Sequence, residues 1–167
     1  RLIGIKGTRG VGKTTFLLQY AKEKFGTDRS CLFINMNNFY FSGHGIVEFA
    51  YEFQRRGGKV LLIDQVFKFP NWSKELRMCY DRFPNLKIVF TGSSVMRLKE
   101  ENLELRDIVK SYNLRGFSFR EFLNLQTGMK FHSYTLDEIL NNHEQIAKGI
   151  LAKVHPLDYF QDYMHHG

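Results

Sequence analysis

Short apolar runs alternate with longer amphipathic stretches along most of this chain, a pattern that predicts parallel strands joined by crossover helices. Leu2-Ile3-Gly4-Ile5-Lys6 reads as a first strand, and after a glycine-rich turn the stretch Phe16 to Phe25 is apolar at helical spacing. Cys31 to Met36 is a second, buried strand that Asn37-Asn38 closes. Phe39-Tyr40-Phe41 and Ser42-Gly43 lead into a helix from about Ile46 to Arg56, with Phe49, Ala50 and Phe53 on one face and Gly57-Gly58 behind it. Lys59 to Gln65 is continuously apolar until Asp64, as expected of a central strand covered on both faces. Pro70-Asn71-Trp72 opens a helix through about Phe83, whose stripe is Trp72, Leu76, Cys79, Tyr80 and Phe83. Leu86 to Ser94 is apolar and then polar, and a weaker strand lies around Val109 to Leu114.

Beyond about residue 117 the strands stop. Ser118 with Glu121, and Thr135 with Glu138, have capping-box spacing and read as two helix starts. The second helix carries Ile139, Leu140, Ile146, Ala147, Ile150 and Leu151, and His155-Pro156 ends it. The expected architecture is an α/β three-layer sandwich with a mostly parallel central sheet over residues 1–125, and a small helical appendage over 126–167. That appendage reads as the truncated start of a lid or winged-helix segment. Three strands end on polar residues, at Gly7, at Asp64 and at Thr91 to Ser94. Ligands of open α/β sheets bind outside the carboxyl ends of the strands, so these endings are expected to line one crevice.

The first of them carries the sharpest chemistry. Gly7-Thr8-Arg9-Gly10-Val11-Gly12-Lys13-Thr14, followed by Thr15, fits G-x-x-x-x-G-K-[ST] between a strand and a helix. Glycines let backbone N–H groups converge on phosphate oxygens, and the helix adds its positive end. Lys13 is expected to reach the β- and γ-phosphates, and Thr14 to ligate Mg²⁺. A glycine-rich turn that merely precedes a lysine would not need all of these features with these flanks. The predicted ligand is ATP with Mg²⁺, although no base-reading motif of the GTPase kind separates adenine from guanine.

Composition adds less. The 24 basic and 17 acidic residues give a net charge of +7, which suits a polyanion but is spread along the chain with no basic block. A domain that binds phosphate runs basic for that reason alone, and this explanation is preferred to a nucleic-acid partner. Cys31 and Cys79 sit in apolar contexts and read as reduced, buried thiols of a cytoplasmic protein. No apolar run approaches the roughly 18 residues that span a bilayer. The chain starts on Arg1 at the edge of a strand, which suggests an excised fragment.

Val60-Leu61-Leu62-Ile63-Asp64 has the form of a Walker B strand, with Asp64 holding Mg²⁺ opposite Thr14. The next residue is Gln65, whose carboxamide can position water but cannot serve as a carboxylate base. Binding is therefore expected to survive while hydrolysis is slow. Thr91, Ser93 and Ser94 offer a hydroxyl to the γ-phosphate or the attacking water, with Ser93 as the candidate, or simply form the turn that leaves the strand.

With these stretches in view, the chain resembles the AAA+-type P-loop ATPases of bacteria and archaea whose ATPase domain precedes a helical or winged-helix segment and an uncharacterised C-terminal domain. The resemblance rests on Gly7 to Thr15, Leu61 to Val66, Phe69-Pro70-Asn71-Trp72, Val89 to Ser94 and Leu114 to Leu123. It implies a P-loop NTPase fold, ATPase activity and a C-terminal domain missing from this chain. It also implies an Asp-Glu pair where this sequence has Asp64-Gln65. An arginine between the sensor strand and the last strand is implied as well. Arg106 sits there, to stabilise phosphate charge in cis or from a neighbouring subunit of a homo-oligomer, or as a solvated charge among Glu101, Glu104 and Asp107. The leading expectation is ATP hydrolysis coupled to conformational change, on nucleic acid or a protein partner. The alternatives are a non-hydrolysing ATP-gated binding module and a small-molecule kinase. The charged stretch from Arg97 to Arg106 makes a poor kinase lid, since it carries as many acids as bases.

Overall fold

Alternation along one strand generates the layers. In the computed structural model, which describes residues 1–93 and 102–166, the strand β3 (Val60–Asp64) is buried throughout. Its odd-numbered residues Leu61 and Ile63 join one apolar core, and Val60 and Leu62 join another. Successive side chains of a strand point to opposite faces, so two cores on alternate residues mean a sheet covered on both sides.

The first core also holds Ile46 and Ala50 of α2 (Ile46–Arg55) and Leu76 and Cys79 of α3 (Trp72–Arg82). The second holds Leu17 of α1 (Lys13–Phe25), with Tyr20, Ala21 and Phe25 packed against it. This is the three-layer α/β sandwich of P-loop NTPases, as the sequence predicts.

The remaining strands are β1 (Leu2–Gly7), β2 (Cys31–Asn35), β4 (Lys87–Ser93) and β5 (Val109–Asn113). The sheet order is β2-β3-β4-β1-β5 and every pairing is parallel. All five carboxyl ends therefore lie along one edge. β4 is inserted between the strand that leads to Gly7 and the strand that ends on Asp64, so those two endings lie one strand apart. Phe39–Ser42, expected as a lead-in to α2, is a turn of 3₁₀-helix whose start Asn38 caps through the Tyr40 N–H.

The chain divides into two compact units, Arg1–Arg115 and Gly116–Gly167. The second contains α4 (Phe119–Thr127), α5 (Leu136–Leu151) and α6 (Phe160–His166), with no strand among its described residues. Both expected capping boxes are formed. Tyr163 packs its ring on Phe119 and Phe122 and donates its hydroxyl to the Phe117 carbonyl. α5 is broken at Asn142, where the backbone leaves the helical region.

Both cysteines are free, but only Cys79 is buried, and burial pushes its thiol up to about 12. Cys31 lies on an edge strand and is only partly covered, contrary to its expected full burial. Partial desolvation still raises its pKa. Among the described residues no helix is long and apolar enough to cross a membrane.

Candidate functional site

The turn from β1 into α1 is shaped by three glycines that serve different ends. Gly10 and Gly12 both have φ of 89°, a conformation that side chains resist, and neither has a heavy atom near where a Cβ would stand. Their requirement is conformational, and it turns the loop so that α1 opens at Lys13. Gly7 is different. A Cβ there would run into the Leu114 carbonyl and the Val11 side chain, so Gly7 is needed for the close approach of the segment that follows β5. Leu114 donates its N–H to the Lys6 carbonyl at 2.7 Å in the same place.

The N-terminus of α1 is left open. Gly12 offers no side-chain cap, and no acid stands in the first turn. The first amides of a helix have no partner within it, and the macrodipole makes their end positive. Lys13 adds a cation there, its Nζ donating to the Gly7 carbonyl at 2.8 Å and the Thr8 carbonyl at 2.7 Å. Partial burial lowers the Lys13 pKa, and the charge of Asp64 pulls it partly back.

Asp64 is 1% exposed at the end of β3. It stands on the same face of the strand as Val60 and Leu62, the face that packs against α1. The fold therefore sets it beneath the helix start, and the Thr14 hydroxyl donates to its Oδ2 at 2.9 Å across 50 residues of sequence. Two more donors converge on the same carboxylate. Asn35 Nδ2 reaches Oδ2 at 2.9 Å, and the Thr91 hydroxyl reaches Oδ1 at 2.6 Å.

The surrounding cleft has a volume of about 760 Å³. Gly7, Arg9, Gly10, Gly12, Lys13, Thr14 and Thr15 line it, together with Asp64, Gln65 and Ser93. Thus the structure brings together most of the residues singled out from the sequence. Thr8 contributes its carbonyl to Lys13, and Val11 packs beside Gly7 rather than lining the cleft. Ser93 lies beside Gly7 in the register of β1 and β4.

Two expectations are modified, and a third falls outside the described residues. The Thr91 hydroxyl is no free sensor, because it is 1% exposed and engaged with Asp64 and the Gln65 N–H. Ser94, and the stretch that begins at Arg97, lie outside the described residues as far as Glu101. Arg106 is not among the residues lining the cleft. It precedes β5, whose Val109 pairs with Leu2 at the start of β1, so it stands at the amino edge of the sheet. Five residues of strand separate Leu2 from Gly7, about 17 Å at 3.3 Å per residue. The neighbouring segment is pinned by Arg77, which donates to the Glu104 carbonyl and the Asp107 carboxylate.

Asn35 was not singled out from the sequence, where it reads only as the end of an apolar run. Asn37, Phe67 and Lys68 also line the cleft without having been marked. The cluster Asn35, Asn37 and Asn38 at a strand end was the available signal, since such amides fix turns and face a ligand edge.

This geometry is an anion cradle facing a carboxylate–hydroxyl pair. Open amides and Lys13 suit phosphate oxygens, while Thr14 and Asp64 supply hard oxygen donors of the kind that hold Mg²⁺. Among known proteins, a family model described as an AAA domain matches residues 1–123. The chain is also 31% identical, over 165 residues, to an uncharacterised protein of Methanocaldococcus jannaschii. That alignment takes in 92% of this chain and 34% of the relative, so the chain spans about a third of the relative's length.

Proposed function

This chain belongs to the AAA domain family, with its ATPase-like nucleotide-binding core, and on that footing we propose that it binds Mg·ATP in the cleft between the Gly7–Thr14 turn and Asp64. We further read it as a slow ATPase whose cycle drives a conformational change. The observation that carries this reading is the 2.9 Å hydrogen bond from Thr14 to Asp64, made at the foot of a helix whose N-terminus is uncapped.

The residues divide the work. The first-turn amides of α1 receive phosphate oxygens, and Lys13 leaves the carbonyls of Gly7 and Thr8 to donate to them instead. Thr14 and Asp64 are the residues that would hold Mg²⁺. When bound, the metal supplies neutralising charge for the phosphates. Gln65 borders the cleft and can orient a water through its carboxamide without taking the water's proton. Ser93 is the hydroxyl best placed to contact the same end of the cleft. A part for Arg106 would come through a neighbouring copy of the chain, since its own cleft is at the opposite edge of the sheet.

Gln65 also favours a second reading, an ATP-gated module that binds and holds nucleotide. ATP affinity and phosphate release measured side by side for the native chain and Gln65→Glu separate the two. The slow ATPase gives Mg²⁺-dependent binding in both proteins and phosphate release that rises roughly a hundredfold with the carboxylate, within the range of general-base effects. The module gives binding in both and release at background in both. If neither protein binds ATP, the cleft has been misread.

A further inference from the structure

The pairing register places Asn35 directly beside Asp64, and Ile63 beside Phe90, so Asp64 and Thr91 follow as neighbours one step on. Asn35, Asp64 and Thr91 thus form one row across β2, β3 and β4, at the carboxyl edge and on the face covered by α1. We propose that Asn35 and Thr91 are positioning residues for the metal-binding carboxylate. They fix Asp64 from both sides so that it stays aligned with Thr14, and Thr91 ties that alignment to the backbone of residue 65. The proposal rests on the reading of Thr14 and Asp64 as the Mg²⁺ pair.

Each donor has its proton direction set by a second bond. The Asn35 side-chain oxygen accepts the Asn37 N–H at 2.8 Å, which leaves Nδ2 as the group facing Asp64. The reverse orientation would set two oxygens against each other. The Thr91 hydroxyl accepts the Gln65 N–H at 2.9 Å, so its single proton goes to Asp64 Oδ1. Asp64 therefore receives one donor on Oδ1 and two on Oδ2, and rotation of the carboxylate would break all three.

The link to residue 65 has its own mark. Gln65 has φ of 55°, one of two positive-φ residues other than glycine among those described. Such a conformation persists where its surroundings hold it, and here the Thr91 hydroxyl holds the Gln65 N–H. One hydroxyl thus fixes the carboxylate that would hold the metal and the backbone of the residue that would orient water. Partners of this kind, bonded to a metal ligand rather than to the metal, typically change metal affinity 10- to 100-fold when removed.

The test uses a fluorescent ATP analogue and four proteins: the native chain, Thr91→Val, Thr91→Ser and Asn35→Ala. Nucleotide affinity is measured in EDTA, and then the Mg²⁺ concentration that gives half of the metal-dependent tightening. Thr91→Val and Asn35→Ala are expected to raise that concentration about tenfold or more. Affinity in EDTA should stay within about twofold in every variant, and Thr91→Ser should match the native chain, on the same second-partner logic. An unchanged Mg²⁺ requirement in both Thr91→Val and Asn35→Ala would overturn the proposal. So would a parallel loss of metal-free affinity, which marks a row that merely supports the loop. Thermal melts accompany each protein; if Thr91→Val does not fold, Asn35→Ala at the sheet edge decides alone. A native chain that binds nucleotide with no Mg²⁺ tightening would remove the metal pair itself, and this proposal with it.

Discussion

At α4 and α5 the first turn is closed by the chain's own side chains. Ser118 and Thr135 accept the N–H of the residue three on, and Glu121 and Glu138 reach back to the N–H of the cap. α2 is closed from outside, by Glu75 accepting the Val47 N–H at 2.9 Å. At α1 the corresponding positions are Gly12, with no side chain, and Thr15, with no charge. A helix start with glycine in place of a capping side chain gives up roughly a few tenths of a kcal/mol of local stability. Here it is the start that carries Lys13 and Thr14, beside Asp64, at the cleft. The difference separates helix ends closed by side chains from one left open, the end to which the proposed function assigns an anion.

The comparison breaks most sharply if α1 is given the chemistry of its counterparts. Thr15 occupies the position in α1 that Glu121 holds in α4 and Glu138 in α5, three residues past the cap. Thr15→Glu is expected to leave the ligand-free fold as stable as before, since an acid in the first turn suits the macrodipole. Nucleotide binding should collapse. Two like charges about 4 Å apart cost roughly 4 kcal/mol at an effective dielectric of 20, which is on the order of a thousandfold in affinity. Calorimetric titration with Mg·ATP and a melting curve read the two effects separately. Retained affinity would mean that phosphates do not approach this helix end.

The opposite change is smaller. Ser118→Ala removes the side chain that accepts the Glu121 N–H and should cost about 1 kcal/mol, confined to the second unit. Nucleotide affinity should not change, because no residue of α4 lines the cleft. Amide exchange across α4, measured with and without ATP, checks both halves. Faster exchange in α1 as well would show that the two helix starts are not independent.

How far the sequence reaches follows the same division. Capping boxes are local, two side chains three residues apart, and both were legible as text. So was the glycine turn between β1 and α1, because a strand, positive-φ glycines and a helix follow one another directly. The partners of Asp64 were not. Asn35 and Thr91 lie 29 and 27 residues away, and only the strand order makes them neighbours. A hydroxyl after an apolar strand reads as a sensor or as part of the turn that leaves the strand, and β4 beside β3 gave Thr91 a third part, as a donor to Asp64. Only the in-cis reading of Arg106 is set aside, for another reason. Its place between two strands suggested the site, yet a residue that enters a parallel strand lies at the edge opposite the one where strands end. Gly7 was singled out for phosphate, whereas the contact that the fold gives it is a close approach to Leu114 beyond β5.

Acid sharpens the comparison with the smallest effect. The Glu121 carboxylate is held below the ordinary glutamate value of 4.5, first by the Ser118 N–H and then by the Ser118 hydroxyl. Glu138 is held down in the same way by the N–H and hydroxyl of Thr135. A carboxyl whose folded pKa is depressed stabilises the fold fully above its unfolded value, and that contribution is lost as pH falls through the folded value. The starts of α4 and α5 should therefore loosen only below about pH 4.5, with both glutamates titrating later than free ones. Carboxyl chemical shifts of Glu121 and Glu138, followed with the amide shifts of Ser118 and Thr135, give the midpoints directly. The first turn of α1 contains no acid to take part. Midpoints at or above 4.5 would mean that the reciprocal caps are not formed in solution, and the contrast between closed and open helix starts would lose its closed side.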